Sequence, residues 1–125
     1  MMRILLVDDE ADLASALAER LELRGIQADW VTSGRKALEQ AAIKSYDLAV
    51  LDVRMPKIGG VELREKLHAL YPEMKFIFLT GYGSEGDFKM ISQEIGDDCY
   101  LVKPVDIDVL IQRMHKTIEV RGDRQ

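Results

Sequence analysis

The sequence predicts an α/β fold in which helices cover both faces of a five-stranded parallel sheet. Short apolar runs, typical of strands buried on both faces, alternate along the chain with segments whose apolar residues recur at helical spacing. This alternation is strict and gives five βα units, whose crossovers are expected to be right-handed. No repeat, linker or change in composition interrupts the pattern, so we expect it to form one domain.

The first half of the chain contains three predicted strands and two predicted helices. The apolar run at residues 3–7 predicts the first strand, and a leucine at every fourth position of residues 13–21 predicts the helix that follows. Residues 28–31 predict a short second strand, and apolar residues within 37–42 mark the second helix. The third strand is predicted at residues 48–51, directly before an aspartate.

The second half continues this order after a break at a proline and two glycines. Leucines within residues 63–70 predict a third helix, and residues 76–79 are the apolar run of the fourth strand. A fourth helix is expected within the glycine-containing segment 81–96. Residues 100–102 predict the last strand, and residues 107–118 carry the apolar face of an amphipathic fifth helix.

Size, charge and cysteine content limit the classes of function. The chain has 125 residues and a formal net charge of -5, which disfavours duplex nucleic acid and anionic membranes as main partners. The single cysteine, Cys99, is expected to be a core residue in a reducing compartment. The first apolar run is shorter than a signal-peptide core, and no run approaches the length of a membrane span. We therefore expect a cytoplasmic location.

Polar residues suited to chemistry follow four of the predicted strands. They are Asp8 and Asp9 after the first strand, Asp52 after the third, Thr80 after the fourth and Lys103 after the fifth. Ligands of open parallel sheets bind beyond the carboxyl ends of the strands, so we expect these side chains to converge. Each one alone has an ordinary explanation as a helix cap, a strand residue or a solvated charge. Together, the three carboxylates would repel one another unless a cation lay among them.

The expected cation is a hard divalent ion. Oxygen ligands with open water positions suit Mg²⁺, whose coordination shell is often completed by phosphate oxygens. A carboxylate can attack a phosphoryl donor to form an acyl phosphate, while a metal ion, a lysine and a hydroxyl stabilise charge on the transferring oxygens. Asp52, Lys103 and Thr80 fit the carboxylate, lysine and hydroxyl roles. The sequence thus predicts a phosphoryl acceptor at Asp52.

As a set, these residues resemble the response-regulator receiver domains of bacterial two-component signalling, over essentially the whole chain. The matching features are Asp8-Asp9 after the first strand, Asp52 followed by Met55-Pro56 and Gly60, Thr80 after the fourth strand, Tyr100 three residues before lysine, and Lys103-Pro104. The resemblance implies a doubly wound, flavodoxin-like sheet of the CheY-like type with strand order 2-1-3-4-5. It also implies a receiver domain over residues 1–121, with 122–125 as a tail or the start of a linker.

The resemblance further implies roles for individual residues. Asp52 would be phosphorylated by a phosphohistidine of a sensor histidine kinase or phosphotransfer protein. Mg²⁺ would be held by Asp9, Asp52 and the backbone carbonyl of Arg54, and Asp8 would act through water. Lys103 would bind a phosphoryl oxygen as a point charge. The domain would catalyse only its own phosphorylation and dephosphorylation, and would not be an enzyme in the wider sense.

A conformational switch is also implied. Thr80 and Tyr100 would move together on phosphorylation, and Arg54 and Tyr82 would set the lifetime of the phosphoryl group. The Lys103-Pro104 bond is expected to be cis. The signal would pass to an output domain or protein partner, and homodimers would form through the fourth and fifth predicted helices. Direct contact of this domain with nucleic acid or membrane is not expected.

Two kinds of alternative remain open in the sequence. Residues 81–86 spell the G-x-G-x-x-G dinucleotide fingerprint, but the acidic residues Glu85 and Asp87 would oppose a pyrophosphate. An FMN-binding flavodoxin-like domain would need hydroxyls and glycines after the first strand, where residues 8–12 are mostly acidic. A Mg²⁺-dependent phosphohydrolase with an aspartyl-phosphate intermediate shares the predicted chemistry, although no second general acid is evident near Asp52.

Overall fold

The computed structural model describes residues 2–81 and 100–122, which contain five strands and four helices. The strands are β1 (Arg3–Val7), β2 (Gln27–Val31), β3 (Leu48–Asp52), β4 (Lys75–Thr80) and β5 (Tyr100–Val102). The helices are α1 (Ala11–Leu23), α2 (Gly34–Ile43), α3 (Gly60–Leu70) and the C-terminal α4 (Ile107–Gly122). The helix predicted within residues 81–96 lies outside the described residues, apart from Gly81 before it.

All five strands are parallel and lie in the order β2-β1-β3-β4-β5, which confirms the predicted sheet. β1 and β3 are central, and their residues pair in register from Ile4 with Leu48 to Val7 with Leu51. Every residue of β3 is buried. A strand in this position has no solvent-facing side, which explains the continuous apolar run that identified it in the sequence.

Successive strand residues point to opposite faces of the sheet and so divide the core into two layers. Leu5 and Leu51 belong to the layer beneath α2 and α3, whereas Ile4 and Val50 belong to the layer beneath α1 and α4. Each layer contributes fully buried side chains, with Phe78 in the first and Leu110 in the second. Apolar burial on both faces fixes the positions of the strands, and therefore of the residues at their carboxyl ends.

Side-chain caps define where two helices begin. The Ser33 hydroxyl accepts a hydrogen bond from the Lys36 amide at 3.1 Å at the start of α2. Asp106 Oδ1 accepts bonds from the amides of Asp108 and Val109, at 2.8 and 3.2 Å, at the start of α4. Among the described helices, none has both the length and the apolar character required to cross a membrane.

Candidate functional site

Four strand ends bring the predicted site residues to one edge of the sheet. Backbone hydrogen bonds hold these ends side by side: the Val53 amide donates to the Leu79 carbonyl at 2.9 Å, and the Lys103 amide donates to the Thr80 carbonyl at 2.8 Å. The chain turns away from the sheet directly after each of these strands. Asp8, Asp52, Thr80 and Lys103 are therefore grouped by the topology of the sheet, as the sequence predicted.

Three carboxylates meet at this edge. Oxygens from Asp8, Asp9 and Asp52 all lie within 4.8 Å of one another. Asp8 and Asp52 are buried, with exposed fractions of 3% and 5%, whereas Asp9 is exposed to solvent. Two buried carboxylates and one exposed carboxylate form the kind of partly open, oxygen-only cluster that could hold Mg²⁺.

Lys103 is a cation that lies among these acids. Its Nζ lies 2.8 Å from Asp8 Oδ2, 3.3 Å from Glu10 Oε1 and 3.5 Å from Asp52 Oδ1. Burial lowers the pKa of Lys103, but the hydrogen bond and charge of Asp8, together with Asp52 and Glu10, outweigh burial and raise the pKa above its ordinary value. Lys103 therefore remains an ammonium ion, yet it supplies one positive charge against four acidic residues.

The pKa of Asp52 reflects the excess of negative charge at this site. Burial raises its pKa, and the negative charges of Asp8 and Asp9 raise it further, to about 7, against the opposing effect of Lys103. A hydrogen bond with Asp9 acts in the same direction as burial. Near neutral pH a substantial part of Asp52 is therefore protonated unless a further cation joins the site.

Thr80 and Tyr100 lie on neighbouring strands at the same edge. Thr80 is 1% exposed, and its Oγ1 has no hydrogen-bond partner within residues 2–81 and 100–122. Tyr100 starts β5 opposite Phe78 and packs, partly buried, against the core layer beneath α2 and α3. Thr80 pairs with Val102 across β4 and β5, so Tyr100 is offset from Thr80 by two residues in the strand register.

The remaining predicted positions lie around this centre. Arg54 is exposed two residues after Asp52, in the loop between β3 and α3. Tyr82 lies outside the described residues, as does the rest of the glycine-containing fingerprint after Gly81. The Lys103-Pro104 bond is cis, as predicted. One residue was missed by the sequence prediction: Glu10, whose contact with Lys103 was signalled only by a third acid following Asp8 and Asp9.

Comparison with known proteins identifies the family. The family model of the response regulator receiver domain matches residues 4–115. The chain is 37% identical over 117 residues to the transcriptional activator protein IrlR of Burkholderia pseudomallei (strain 1026b), covering 94% of this chain and 50% of IrlR. It is 39% identical over 114 residues to the transcriptional regulatory protein CpxR of Escherichia coli (strain K12), covering 91% of this chain and 48% of CpxR. The chain thus spans about half the length of these relatives.

Solved structures of receiver domains share this fold. A CheY-like response regulator receiver domain protein from Methanospirillum hungatei JF-1 superposes with a TM-score of 0.88 at 30% identity, covering 100% of this chain and 99% of that one. The non-phosphorylated HemR receiver domain from Leptospira biflexa gives a TM-score of 0.79 at 29% identity, with 94% of each chain covered. With its strand order and its acidic strand-end cluster, this chain belongs to the receiver domains of two-component response regulators.

Proposed function

We propose that this receiver domain accepts a phosphoryl group on Asp52 and changes conformation as a result. One observation carries the proposal: Asp52 is a buried carboxylate that lies between other acids and Lys103, with its pKa raised to about 7. Burying a carboxylate without a matching cation costs free energy, so a purely structural residue at this position would more readily be apolar. Perturbed acids of this kind concentrate at functional sites.

The proposed reaction forms an acyl phosphate on Asp52. A carboxylate oxygen attacks the phosphorus of a phosphohistidine on a sensor histidine kinase or phosphotransfer protein, and the phosphorus–nitrogen bond breaks with its electron pair passing to the imidazole. Lys103, already 3.5 Å from Asp52, would donate to a phosphoryl oxygen and offset its charge. Thr80 would donate from its buried hydroxyl, which is otherwise unpaired among the described residues.

Mg²⁺ fits the three-carboxylate cluster. Asp9, Asp52 and the Arg54 carbonyl would hold it, and Asp8 would act through water. The close spacing of the carboxylate oxygens supports this assignment, as does the excess of acids over Lys103. When bound, the ion would neutralise charge on the transferring oxygens and lower the pKa of Asp52, so that this carboxylate is ionised for attack.

The proposed switch connects the site to a protein surface. Movement of the Thr80 hydroxyl toward a phosphoryl group would vacate space beside β5, and the Tyr100 ring would turn inward to fill it. Arg54 and Tyr82 would set the phosphoryl lifetime. The curated relatives are named as transcriptional regulators and are about twice as long as this chain. We therefore propose a DNA-binding output module as the recipient of the signal, with homodimers forming through the helix expected in 81–96 and α4.

The direct test is to treat the chain with acetyl phosphate and Mg²⁺ and to measure the intact mass. We expect one phosphoryl adduct per chain, mapped to Asp52 after borohydride reduction and absent from Asp52→Asn. Beryllofluoride should bind with the same Mg²⁺ requirement. An adduct at another residue, or phosphorylation that persists in Asp52→Asn, would overturn the assignment. Steady turnover of a small phosphate ester would instead favour the phosphohydrolase alternative.

A further inference from the structure

Glu10 lies beside the proposed phosphorylation site but takes no part in the proposed phosphoryl transfer. Its Oε1 lies 3.3 Å from Lys103 Nζ, and its side chain is 66% exposed, whereas the Lys103 side chain is 14% exposed. Glu10 thus contacts the ammonium from the solvent side. Asp8, with a 5% exposed side chain, contacts the same ammonium from within the protein at 2.8 Å.

The Glu10 side chain contacts Lys103 and does not cap its own helix. Glu10 occupies the N-cap position of α1, but its side chain makes no capping hydrogen bond. Its amide donates to Asp8 Oδ1 at 2.9 Å, which orients Asp8 so that Oδ2 faces Lys103. The Glu10 carboxylate is therefore committed to Lys103 and not to the helix start.

We propose that Glu10 is a positioning residue that competes with the phosphoryl group for Lys103 and so sets how tightly phosphorylated Asp52 is held. This inference rests on the proposed phosphorylation of Asp52. Lys103 is closer to Asp8 and Glu10 than to Asp52. To bind a phosphoryl oxygen it must weaken one of these contacts, and release of exposed Glu10 into water costs far less than leaving Asp8 buried and unpaired.

Removal of the Glu10 charge should raise the affinity for beryllofluoride. Glu10→Gln lifts the competition for Lys103 and reduces repulsion of an incoming anion. Solvent-exposed ion pairs of this kind are typically modest in strength, so the expected gain in affinity for beryllofluoride at saturating Mg²⁺ is about two- to fivefold. Glu10→Asp keeps the charge but shortens the side chain away from Lys103, and should give a smaller gain.

The experiment is a beryllofluoride titration followed by ¹⁹F NMR at saturating Mg²⁺, which removes any effect of Glu10 on metal affinity. Glu19→Gln, an exposed change of the same charge further along α1, is the matched control and should leave the affinity unchanged. The Lys103 side-chain resonances should shift in metal-free Glu10→Gln and not in Glu19→Gln. Unchanged or weaker affinity in Glu10→Gln, or an equal gain in Glu19→Gln, would overturn the competition. Failure of the unaltered chain to bind beryllofluoride at all would instead defeat the phosphoacceptor proposal.

Discussion

Gly60 packs so tightly against the carboxyl end of β3 that a Cβ built on it would overlap the carbonyl oxygen of Asp52. Its amide also donates to the Val53 carbonyl at 2.9 Å, which binds the first turn of α3 to the strand end. The absence of a side chain at position 60 therefore fixes where α3 begins and where the Asp52 backbone lies. Gly60 is required here for close approach and not for an unusual backbone conformation.

Gly60→Ala should destabilise the domain and disturb the site. The clash is with backbone atoms, which cannot be relieved by a rotamer change, so we expect a loss of about 1–3 kcal/mol in the free energy of unfolding. Urea denaturation measures this loss, and weaker beryllofluoride binding should accompany it. Gly59→Ala is the control, because its Cβ would lie 3.3 Å from the Val53 carbonyl oxygen and should cost less. Equal losses in the two variants would contradict this explanation.

Mg²⁺ should stabilise the folded chain through Asp9. A ligand that binds only the folded state adds about 2.7 kcal/mol at a hundredfold excess over its Kd. Asp9→Ala should abolish the rise in thermal midpoint at little cost to the metal-free protein, because Asp9 is exposed. Differential scanning fluorimetry with and without Mg²⁺ measures both effects. Asp12→Ala, an exposed acid in the first turn of α1, should keep the full rise; loss of the rise there would contradict the metal assignment.

The metal-free protein should lose stability as pH rises through neutrality. The pKa of Asp52 is about 7 in the folded state, against an ordinary value of 3.8, so between these pH values the folded state retains a proton that the unfolded state has released. The resulting stabilisation is complete below about pH 4 and is lost as pH rises through about 7. Asp52→Asn should therefore stabilise the metal-free chain at about pH 8 by at least about 1 kcal/mol.

Urea denaturation in EDTA at about pH 5 and about pH 8 tests this predicted loss of stability with rising pH. The difference between Asp52→Asn and the unaltered chain should grow with pH, and Glu19→Gln should show no such growth. A difference that is constant with pH would mean that Asp52 is not the group responsible. Mg²⁺ should reverse the loss in the unaltered chain, because a nearby cation favours the ionised carboxylate.

The sequence predicted the strands well because the central residues of β1, β3 and β4 are buried on both faces and are apolar. The convergence of Asp8, Asp52 and Lys103 followed from the common direction of parallel strands. Apolar runs do not state which strands are neighbours, so the order 2-1-3-4-5 came from the family resemblance and not from periodicity.

Other features depend on contacts between residues that are far apart in the sequence, and a linear pattern does not show such contacts. The contact of Glu10 with Lys103 joins residues 93 positions apart and depends on how two loops meet. Gly60 appeared in the sequence as part of a chain break and as one feature of the family resemblance, but its close approach to the backbone at the end of β3 could not be read there. The switch geometry beyond Gly81 and the position of Tyr82 lie outside the described residues and stay predictions.

Thr80→Val should stabilise the metal-free chain and weaken the conformational switch. The Thr80 hydroxyl is buried without a hydrogen-bond partner among residues 2–81 and 100–122, and an unsatisfied group of this kind costs about 1–3 kcal/mol. An apolar group of the same shape should therefore raise the free energy of unfolding of the metal-free chain. The same change should weaken the beryllofluoride-induced shift of the Tyr100 ring resonances. Thr117→Val is the control. The Thr117 hydroxyl donates to the Arg113 carbonyl at 2.7 Å, so its loss should not stabilise the folded chain. Destabilisation by Thr80→Val would show that its hydroxyl is satisfied.

Tyr46→Phe should destabilise the opposite end of the sheet without affecting phosphorylation. The buried Tyr46 hydroxyl donates to Asp29 Oδ2 at 2.6 Å and accepts from Gln40 Nε2 at 2.9 Å, while Lys44 Nζ lies 3.0 Å from the same Asp29 oxygen. Burial raises the pKa of Asp29, but the bonds from Tyr46 and Lys44 outweigh it and lower the pKa below 3.8. Burial and Asp29 together raise the pKa of Tyr46 to about 12.

Loss of the Tyr46 hydroxyl should therefore reduce the free energy of unfolding by about 1–2 kcal/mol near neutral pH. A carboxylate whose pKa is lowered on folding contributes stability above its ordinary pKa and loses it as pH falls, so the penalty should shrink below about pH 4. Urea denaturation between acidic and neutral pH measures this stability penalty, and Tyr71→Phe, at the end of α3, is the matched control. Beryllofluoride affinity should stay unchanged, because the cluster lies at the amino end of β3 and the carboxylates lie at its carboxyl end. A penalty that is constant with pH would mean that Asp29 does not depend on this hydroxyl.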